Sequence, residues 1–175
     1  MIKTRTSLPW TAAMSCCCLF LFGCHNSTAS HTDYQIGEKI AAGPLTYTVV
    51  EKTWRSQLGE GFQIREPQHR FLVITISATN GGGSEVSVPM LQLEGADGKL
   101  YSEVENGEGV ENWFGLLRTI QPAQTQQGRL VFDVPLSTYR LRLSDGDSSS
   151  GHFAYVQIPV QIDADPVVEP PVGKQ

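Results

Sequence analysis

Apolar and polar residues alternate with a period of two along most of the chain, which is the pattern of half-buried β-strands. At 139–145, for example, Tyr139, Leu141 and Leu143 alternate with arginines. A helical period is not sustained, and a single turn of helix at 111–119 is all that the pattern allows. The residues predicted to face the core in the other strands are Leu45, Tyr47, Val49, Leu72, Ile74, Ile76, Ala78, Leu130, Phe132, Val134, Ala154, Val156, Ile158, Val160 and Ile162.

Turn signals separate these strands and define the fold class. Phe71 and Val73 make the strand from 71 apolar on both faces, as in a central strand, and Asp97-Gly98 is a pair suited to a hairpin turn. Glycine-rich stretches lie between the other strands. About seven strands joined by such turns predict an all-β fold, an immunoglobulin-like antiparallel β-sandwich.

The N-terminus has a different pattern. Lys3 and Arg5 precede sixteen apolar or small residues at 8–23, fewer than the roughly 20 that a membrane-spanning helix needs. A basic tip, a short apolar run and a small residue at its end are typical of a secretory signal. We therefore expect the protein to be exported.

The end of this run, Leu21-Phe22-Gly23-Cys24, resembles the lipobox of bacterial lipoproteins. The resemblance implies that Cys24 receives diacylglycerol and that a signal peptidase cuts between Gly23 and Cys24. The alternative is an ordinary signal peptide that ends near a cysteine. The predicted organisation is a signal peptide at 1–23, a lipidated cysteine and flexible linker at 24–33, a β-sandwich at 34–163, and a proline-rich disordered tail at 164–175.

Composition and charge exclude some classes of binding partner. Cleavage would remove Lys3, Arg5 and no acid, leaving 11 basic and 18 acidic residues, a net charge of −7. That balance argues against nucleic acid and against electrostatic adhesion to anionic lipid. Membrane attachment would therefore depend on acyl chains at Cys24. The other cysteines, Cys16 to Cys18, lie in the signal, so no disulfide is expected in the domain.

Enzyme motifs are missing from the sequence. Neither a G-x-S-x-G nor an H-E-x-x-H motif occurs, so we predict no catalytic residue and no enzyme activity. We also predict no cofactor and no metal, although two ligand sets stay open. His69, His152 and Met90 would form a soft set that suits copper. Calcium would use the carboxylates of Asp145 and Asp147 or, alternatively, those of Glu103, Glu105, Glu108 and Glu111.

The segment from 105 to 119 runs from an acidic, glycine-rich loop into large apolar residues. Because aromatic residues are enriched in the cores of protein interfaces, Trp113, Phe114, Leu116 and Leu117 are a candidate contact patch. The alternative is a cap that closes one end of the sandwich. Trp54 and Phe62 are expected either in the same patch or in the core.

Several stretches resemble one known family. These are "GPLTYTVV" at 43–50, "FLVITISATN" at 71–80, "LEGADGKLY" at 93–101, "QQGRLVFDVP" at 126–135 and "YRLRLSD" at 139–145. They resemble bacterial lipoproteins and secreted proteins with a telokin-like, immunoglobulin-type sandwich domain of unknown function. The resemblance implies a fold like that of a mycobacterial secreted immunogenic protein, and no catalytic residues. The chain departs from the family at Pro122-Ala123, where the resemblance implies glycine after the proline.

We therefore predict a lipid-anchored binding or interaction module of the cell envelope, without catalysis, whose ligand or partner is not identified by the sequence; an envelope protein is the candidate partner. In a cell with two membranes, His25 after the lipidated cysteine favours the outer membrane, facing the periplasm, by analogy with known lipoproteins. The alternative function is an envelope carrier of metal or of a small ligand. A third possibility is an accessory role in a larger complex.

Overall fold

The computed structural model describes residues 33–60, 63–147 and 153–161 of the chain. The signal segment, Gly23, Cys24 and the linker lie outside the described residues, as do Phe62, His152 and the tail from 164. The predictions made for them stay predictions. Within the described ranges no helix is long and apolar enough to cross a membrane.

Eleven strands make up the described part of the chain, and eight of them have three residues or more. In chain order they are β1 (Asp33–Tyr34), β2 (Lys39–Ala42), β3 (Leu45–Arg55), β4 (Phe71–Asn80), β5 (Val86–Ser87), β6 (Gln92–Gly95), β7 (Leu100–Ser102), β8 (Thr119–Ile120), β9 (Thr125–Asp133), β10 (Tyr139–Leu143) and β11 (Ala154–Ile158).

The strands form two packed sheets and a small ribbon. One sheet has the order β1-β11-β10-β6-β7, the other has the order β2-β3-β4-β9, and β5 pairs with β8. Neighbouring strands are antiparallel, except that β1 runs parallel to β11. The predicted all-β sandwich is confirmed.

The main core lies between the two sheets and contains nearly all the residues predicted to face inward. Val160 was also predicted to face inward, but it is exposed because β11 ends at Ile158, directly before Pro159. Proline has no N–H for the ladder, so the alternation outlasts the strand. Ile162 lies outside the described residues.

A β-bulge changes which residues of β3 face the core. Up to Val49 the odd-numbered residues point inward, but the register to β4 shifts between Val49 and Glu51. Val50 is the extra residue, and beyond it the even-numbered residues point inward. Trp54 therefore belongs to the core, whereas Glu51 lies on the outer face of the sheet. This settles the location of Trp54.

The turn of helix allowed at 111–119 is wrong. The backbone of this segment bonds to the edge of β9 instead of to itself: Phe114 N donates to Arg129 O at 3.0 Å, and Arg129 N donates to Asn112 O at 2.8 Å. Asn112 has a φ of +53°, which interrupts any helix. Pairing with an existing strand satisfies these donors where an isolated short helix would leave them exposed to water.

Two turns that were singled out in the sequence have a residue with positive φ. The predicted hairpin turn at Asp97-Gly98 is confirmed, and Gly98 takes the positive φ, +77°. At Pro122-Ala123, Ala123 has a φ of +60°, a conformation that favours glycine. The turn is held by a bond from Ala123 N to Asn80 O at 2.9 Å. The chain thus keeps the expected turn with a less suitable residue.

Two tyrosines close the core at its ends. Tyr139, at the start of β10, donates its hydroxyl to Pro135 O at 2.7 Å, and Tyr47 donates to Ser144 O at 2.8 Å. A tyrosine bonded to backbone a few residues upstream is a hallmark of immunoglobulin-type sandwiches. Burial is the main reason that the pKa of Tyr139 rises from 10.0 to about 12, and burial also raises the pKa of Tyr47.

Candidate functional site

A cleft of about 450 Å³ lies on the outer face of the four-stranded sheet. We call it the outer-face cleft. Strands β3, β4 and β9 form its floor, and the loops that follow β3 and β7 form its walls. Its lining residues are Glu51, Thr53, Arg55, Gln57, Leu58, Gly59, Glu60, Gln63, Val73, Thr75, Gly109, Val110, Glu111 and Arg129.

A polar row crosses the floor of the cleft. Glu51 is in register with Thr75, and Thr75 is in register with Arg129, so that a carboxylate, a hydroxyl and a guanidinium lie side by side on three neighbouring strands. The Thr75 hydroxyl donates to Glu51 Oε1 at 3.1 Å. Because Glu51 follows the bulge in β3, the bulge is what brings its carboxylate into this row.

A second, smaller hydrophobic cluster holds the walls against the floor. Leu58 of the first loop packs with Phe71, Val73 and Val131 of the outer face. Leu58 also exchanges backbone bonds with Arg65, of 2.9 and 2.8 Å, which fold its loop back on itself. Residues Val104, Val110 and Trp113 of the second loop pack against the same cluster.

The two walls touch where both carry glycine. A Cβ atom on Gly109 would lie 2.5 Å from Gly59 N, closer than any real contact of this kind. Both glycines also have positive φ, +82° for Gly59 and +78° for Gly109. The close approach of the two loops therefore depends on the absence of a side chain at Gly109, whereas a Cβ atom on Gly59 would clash with Gln63 O within its own loop.

The chemistry of the lining suits recognition of a small polar molecule. The cleft presents three carboxylates and two guanidiniums, together with hydroxyl, amide and apolar groups. Arg129 is held by Glu111, whose Oε2 lies 3.6 Å from Arg129 Nη1, while the Glu111 side chain is 80% exposed. The charged groups stay in contact with solvent, so they are available to a ligand.

The structure divides the candidate contact patch. Phe114 is 4% exposed and belongs to the main core, where Gly128 of β9 leaves the space that its ring fills. Trp113 is half-buried against the smaller cluster. Leu116 and Leu117 are exposed, Leu117 by 97%. Phe114 and Trp113 therefore close the sandwich edge, and of the four patch residues the two leucines are the exposed ones.

A buried ion pair lies under this segment. The Arg118 guanidinium bonds both carboxylate oxygens of Glu103, with Nη1 at 2.9 Å from Oε1, and both side chains are fully buried. Leu91 N donates to Glu103 Oε1 at 2.6 Å, and Arg118 also donates to the Pro89 and Gly115 carbonyls. Glu103 is therefore occupied as a structural partner and is not available as the calcium ligand considered from the sequence.

The other suggested metal ligands that the structure describes do not come together, and His152 lies outside the described residues. His69 precedes β4 at one end of the sandwich, whereas Met90 precedes β6 at the opposite end. Asp145 accepts a bond of 3.0 Å from Asp147 N, as a turn does. Among the described residues, no group of three or more histidine, cysteine, aspartate or glutamate side chains could hold a metal ion.

Sequence reasoning missed the residues of the polar row. Glu51 and Thr75 sit in stretches that look like ordinary strands, and Arg129 looks like an exposed strand residue. The available signal was the pair of valines at 49–50, where strict alternation fails and a bulge becomes possible. The local sequence does not predict that these three residues lie in register on neighbouring strands.

The comparisons with known proteins agree with this architecture. The sequence profile of DUF4352, described as a domain of unknown function, matches residues 34–154. No curated protein matches the chain. The yjhA protein from Bacillus subtilis has a similar structure, with a TM-score of 0.56 at 20% identity, over 71% of this chain and 98% of that one.

Two further solved structures are similar. The ycdA protein of Bacillus subtilis, provisionally described as a lipoprotein, has a TM-score of 0.55 at 13% identity, over 70% of this chain and 38% of that one. The secreted protein MPT63 from Mycobacterium tuberculosis has a TM-score of 0.50 at 17% identity, over 74% of this chain and 99% of that one. At these identities the likeness concerns the fold alone.

Proposed function

This chain belongs to the DUF4352 family, and we propose that it is a binding module of the bacterial cell envelope, anchored by lipid on Cys24 and without catalysis of its own. The observation that carries the proposal is the outer-face cleft, where a rigid sheet and two loops surround about 450 Å³ lined by polar groups of both charges. Concave sites with a few convergent polar groups are the usual form of small-ligand sites.

The cleft favours binding over chemistry. Its floor consists of paired strands, so the polar row is held in position before any ligand arrives. Preformed geometry lowers the entropy that a ligand must lose, which raises affinity. Among the described lining residues there is no serine, cysteine or histidine, and the Thr75 hydroxyl is buried and already donates to Glu51.

The polar row suggests the class of ligand. Glu51 and Arg129 are two strands apart, about 9–10 Å at the usual strand spacing. An extended tripeptide has about the same length, at roughly 3.3 Å per residue. A short zwitterionic peptide would place its ammonium group at Glu51 and its carboxylate at Arg129, with Thr75 between them. We therefore propose short peptides with free termini as the ligands.

The proposed location follows from the N-terminus. The lipobox-like Leu21–Cys24 stretch supports lipidation, and the outer membrane, facing the periplasm, is proposed for cells with two membranes. The provisional description of ycdA as a lipoprotein agrees with this, though it concerns that protein. Metabolic labelling with palmitate tests the anchor: the wild type should carry label, and Cys24→Ala should not. Persistent label on the variant would overturn lipidation at this residue.

Binding is tested with trialanine as the probe. Isothermal calorimetry should detect binding to the wild type, and at least a tenfold loss in Glu51→Gln and in Arg129→Gln, because each removes one charge partner. Arg140→Gln on the other sheet is the matched control and should bind like the wild type. Blocking both ends of the probe by acetylation and amidation should abolish binding. Equal affinity in all variants, or no heat with trialanine, would contradict the peptide proposal.

A further inference from the structure

We propose that the Leu116–Leu117 turn seats the domain on the bilayer that holds its anchor, and that this contact turns the outer-face cleft away from the lipid. The inference rests on the proposed lipidation of Cys24. In this proposal the two exposed leucines contact a zwitterionic lipid surface, and the contact fixes the orientation of the binding module in the envelope.

The first step is the position of the chain entry. Asp33, the first described residue, pairs with Tyr155 near the start of β11, and β11 begins opposite Leu143, where β10 ends. The chain therefore enters the sandwich at the end where β10 stops and β11 starts. We call this the tether end.

The Leu116–Leu117 turn is connected to the same end. Gly146, which follows β10, lies next to Pro89: a Cβ atom on Gly146 would be 3.8 Å from the Pro89 Cβ. Val88 N donates to Arg118 O at 2.7 Å, and Arg118 Nη1 donates to Pro89 O at 3.3 Å. The turn that precedes Arg118 is thus fixed to a segment at the tether end by backbone and side-chain bonds.

The exposed surface of the turn is apolar and firmly held. Leu117 is 97% exposed and Leu116 is exposed by about half, while Met90 beside Pro89 is also exposed. The residue that follows them, Arg118, is locked in the buried pair with Glu103, so the base of the turn cannot move without breaking that pair. A rigid base with two protruding leucines is suited to insertion between lipid headgroups.

The chain length between anchor and domain limits what the turn can meet. Residues 24–32 are nine in number and span at most about 30 Å when fully extended. A lipid on Cys24 would therefore hold the tether end close to the bilayer. Attachment through the linker gives a high effective concentration, so even a weak contact with the surface becomes populated.

Size and charge favour lipid over a protein. Three exposed side chains fall far short of the ~800 Å² per partner that a stable protein interface buries. The mature chain would carry a net charge of −7, so the contact must be apolar and suits zwitterionic lipid. Residues 51–55 of the cleft lie in the second half of β3, which starts beside the tether end at Gly43 and runs away from it.

Single-cysteine labelling tests the proposal. Mature lipidated protein has no free thiol if Cys24 carries lipid, so Leu117→Cys and Leu136→Cys each accept one environment-sensitive dye. Leu136 is the matched control, because it is also an exposed loop leucine but lies between β9 and β10 at the opposite end. Both proteins are reconstituted into phosphatidylcholine vesicles that contain nitroxide-labelled lipid.

The expected result is strong quenching at position 117 and severalfold weaker quenching at 136. Equal quenching at both sites, or none at either while the protein floats with the vesicles, would overturn the seat and leave the anchor intact. Free Cys24 that takes up dye, with protein that does not float, would overturn the anchor and the seat together. Leu117 makes no buried contact, so its replacement is not expected to unfold the domain.

Discussion

Two arginine–glutamate pairs involve the segment from 103 to 118, and they differ in burial and in their hydrogen bonds although the residue types are the same. Arg118 and Glu103 are fully buried and bond in two places, with backbone groups satisfying the remaining atoms. Arg129 and Glu111 lie in the outer-face cleft, 3.6 Å apart and open to water. The first pair fixes the path of the chain, and the second leaves its charges available.

The comparison shows that burial, and not residue type, decides the role of an ion pair. A buried pair loses its hydration and is tolerated only when every polar atom finds a partner. A pair in solvent contributes little to stability, so its residues can be used for recognition at small cost. Both carboxylates had looked like equivalent loop acids in the sequence.

The largest expected effect comes from breaking the buried pair. Glu103→Gln leaves the Arg118 guanidinium buried without its counter-charge, and we expect a loss of about 3–5 kcal/mol in the free energy of unfolding. Urea denaturation measures it. The double variant Glu103→Leu with Arg118→Met should recover much of the loss, since it removes both charges. If Glu103→Gln is as stable as the wild type, the ion pair is not buried away from water.

The next effect separates the two parts of the former contact patch. Phe114→Ala empties space in the main core, and we expect a loss of roughly 3 kcal/mol. Leu117→Ala, three residues away and exposed, should change stability by less than about 0.5 kcal/mol. Thermal unfolding of the two variants side by side gives the comparison. Similar melting temperatures would mean that Phe114 is not a core residue.

A third test measures how the stability depends on pH through the buried Tyr139. The pKa of Tyr139 is raised from 10.0 to about 12 in the folded state, so its neutral form is stabilised there. The corresponding stability is complete below pH 10 and is lost as the pH rises from 10 to 12, by about 2–3 kcal/mol. Chemical denaturation across this range should show the decline. In Tyr139→Phe the decline should be smaller, and an unchanged slope would contradict the assignment.

The smallest effect is expected in the cleft. Arg129→Gln removes only an ion pair in solvent, so stability should fall by no more than about 1 kcal/mol. Trialanine binding should fall at least tenfold in the same protein. Measuring both on one preparation sharpens the contrast with Glu103→Gln. A variant that unfolds easily would place Arg129 among the structural residues.

The alternation of apolar residues was enough to predict the two-layered β fold. The inward faces of β4, β9 and β10 follow it residue by residue, because alternate side chains of a strand point to the same face and one face of each sheet packs against the other sheet. The glycine at position 98 likewise fixed its hairpin turn through local backbone preference alone. These features depend on neighbours in the sequence.

The candidate site depends on neighbours in space. The bulge at Val50 exchanges the faces of β3, moves Trp54 into the core and delivers Glu51 to the polar row, and its position is set by pairing with β4. Arg118 meets Glu103 fifteen positions away, and Glu51 shares a register with Arg129 through a strand between them. The sequence thus determined which stretches become strands and which face of each is apolar, since both follow from local periodicity. Register, burial and the meeting of distant charges were decided only when the sheets packed.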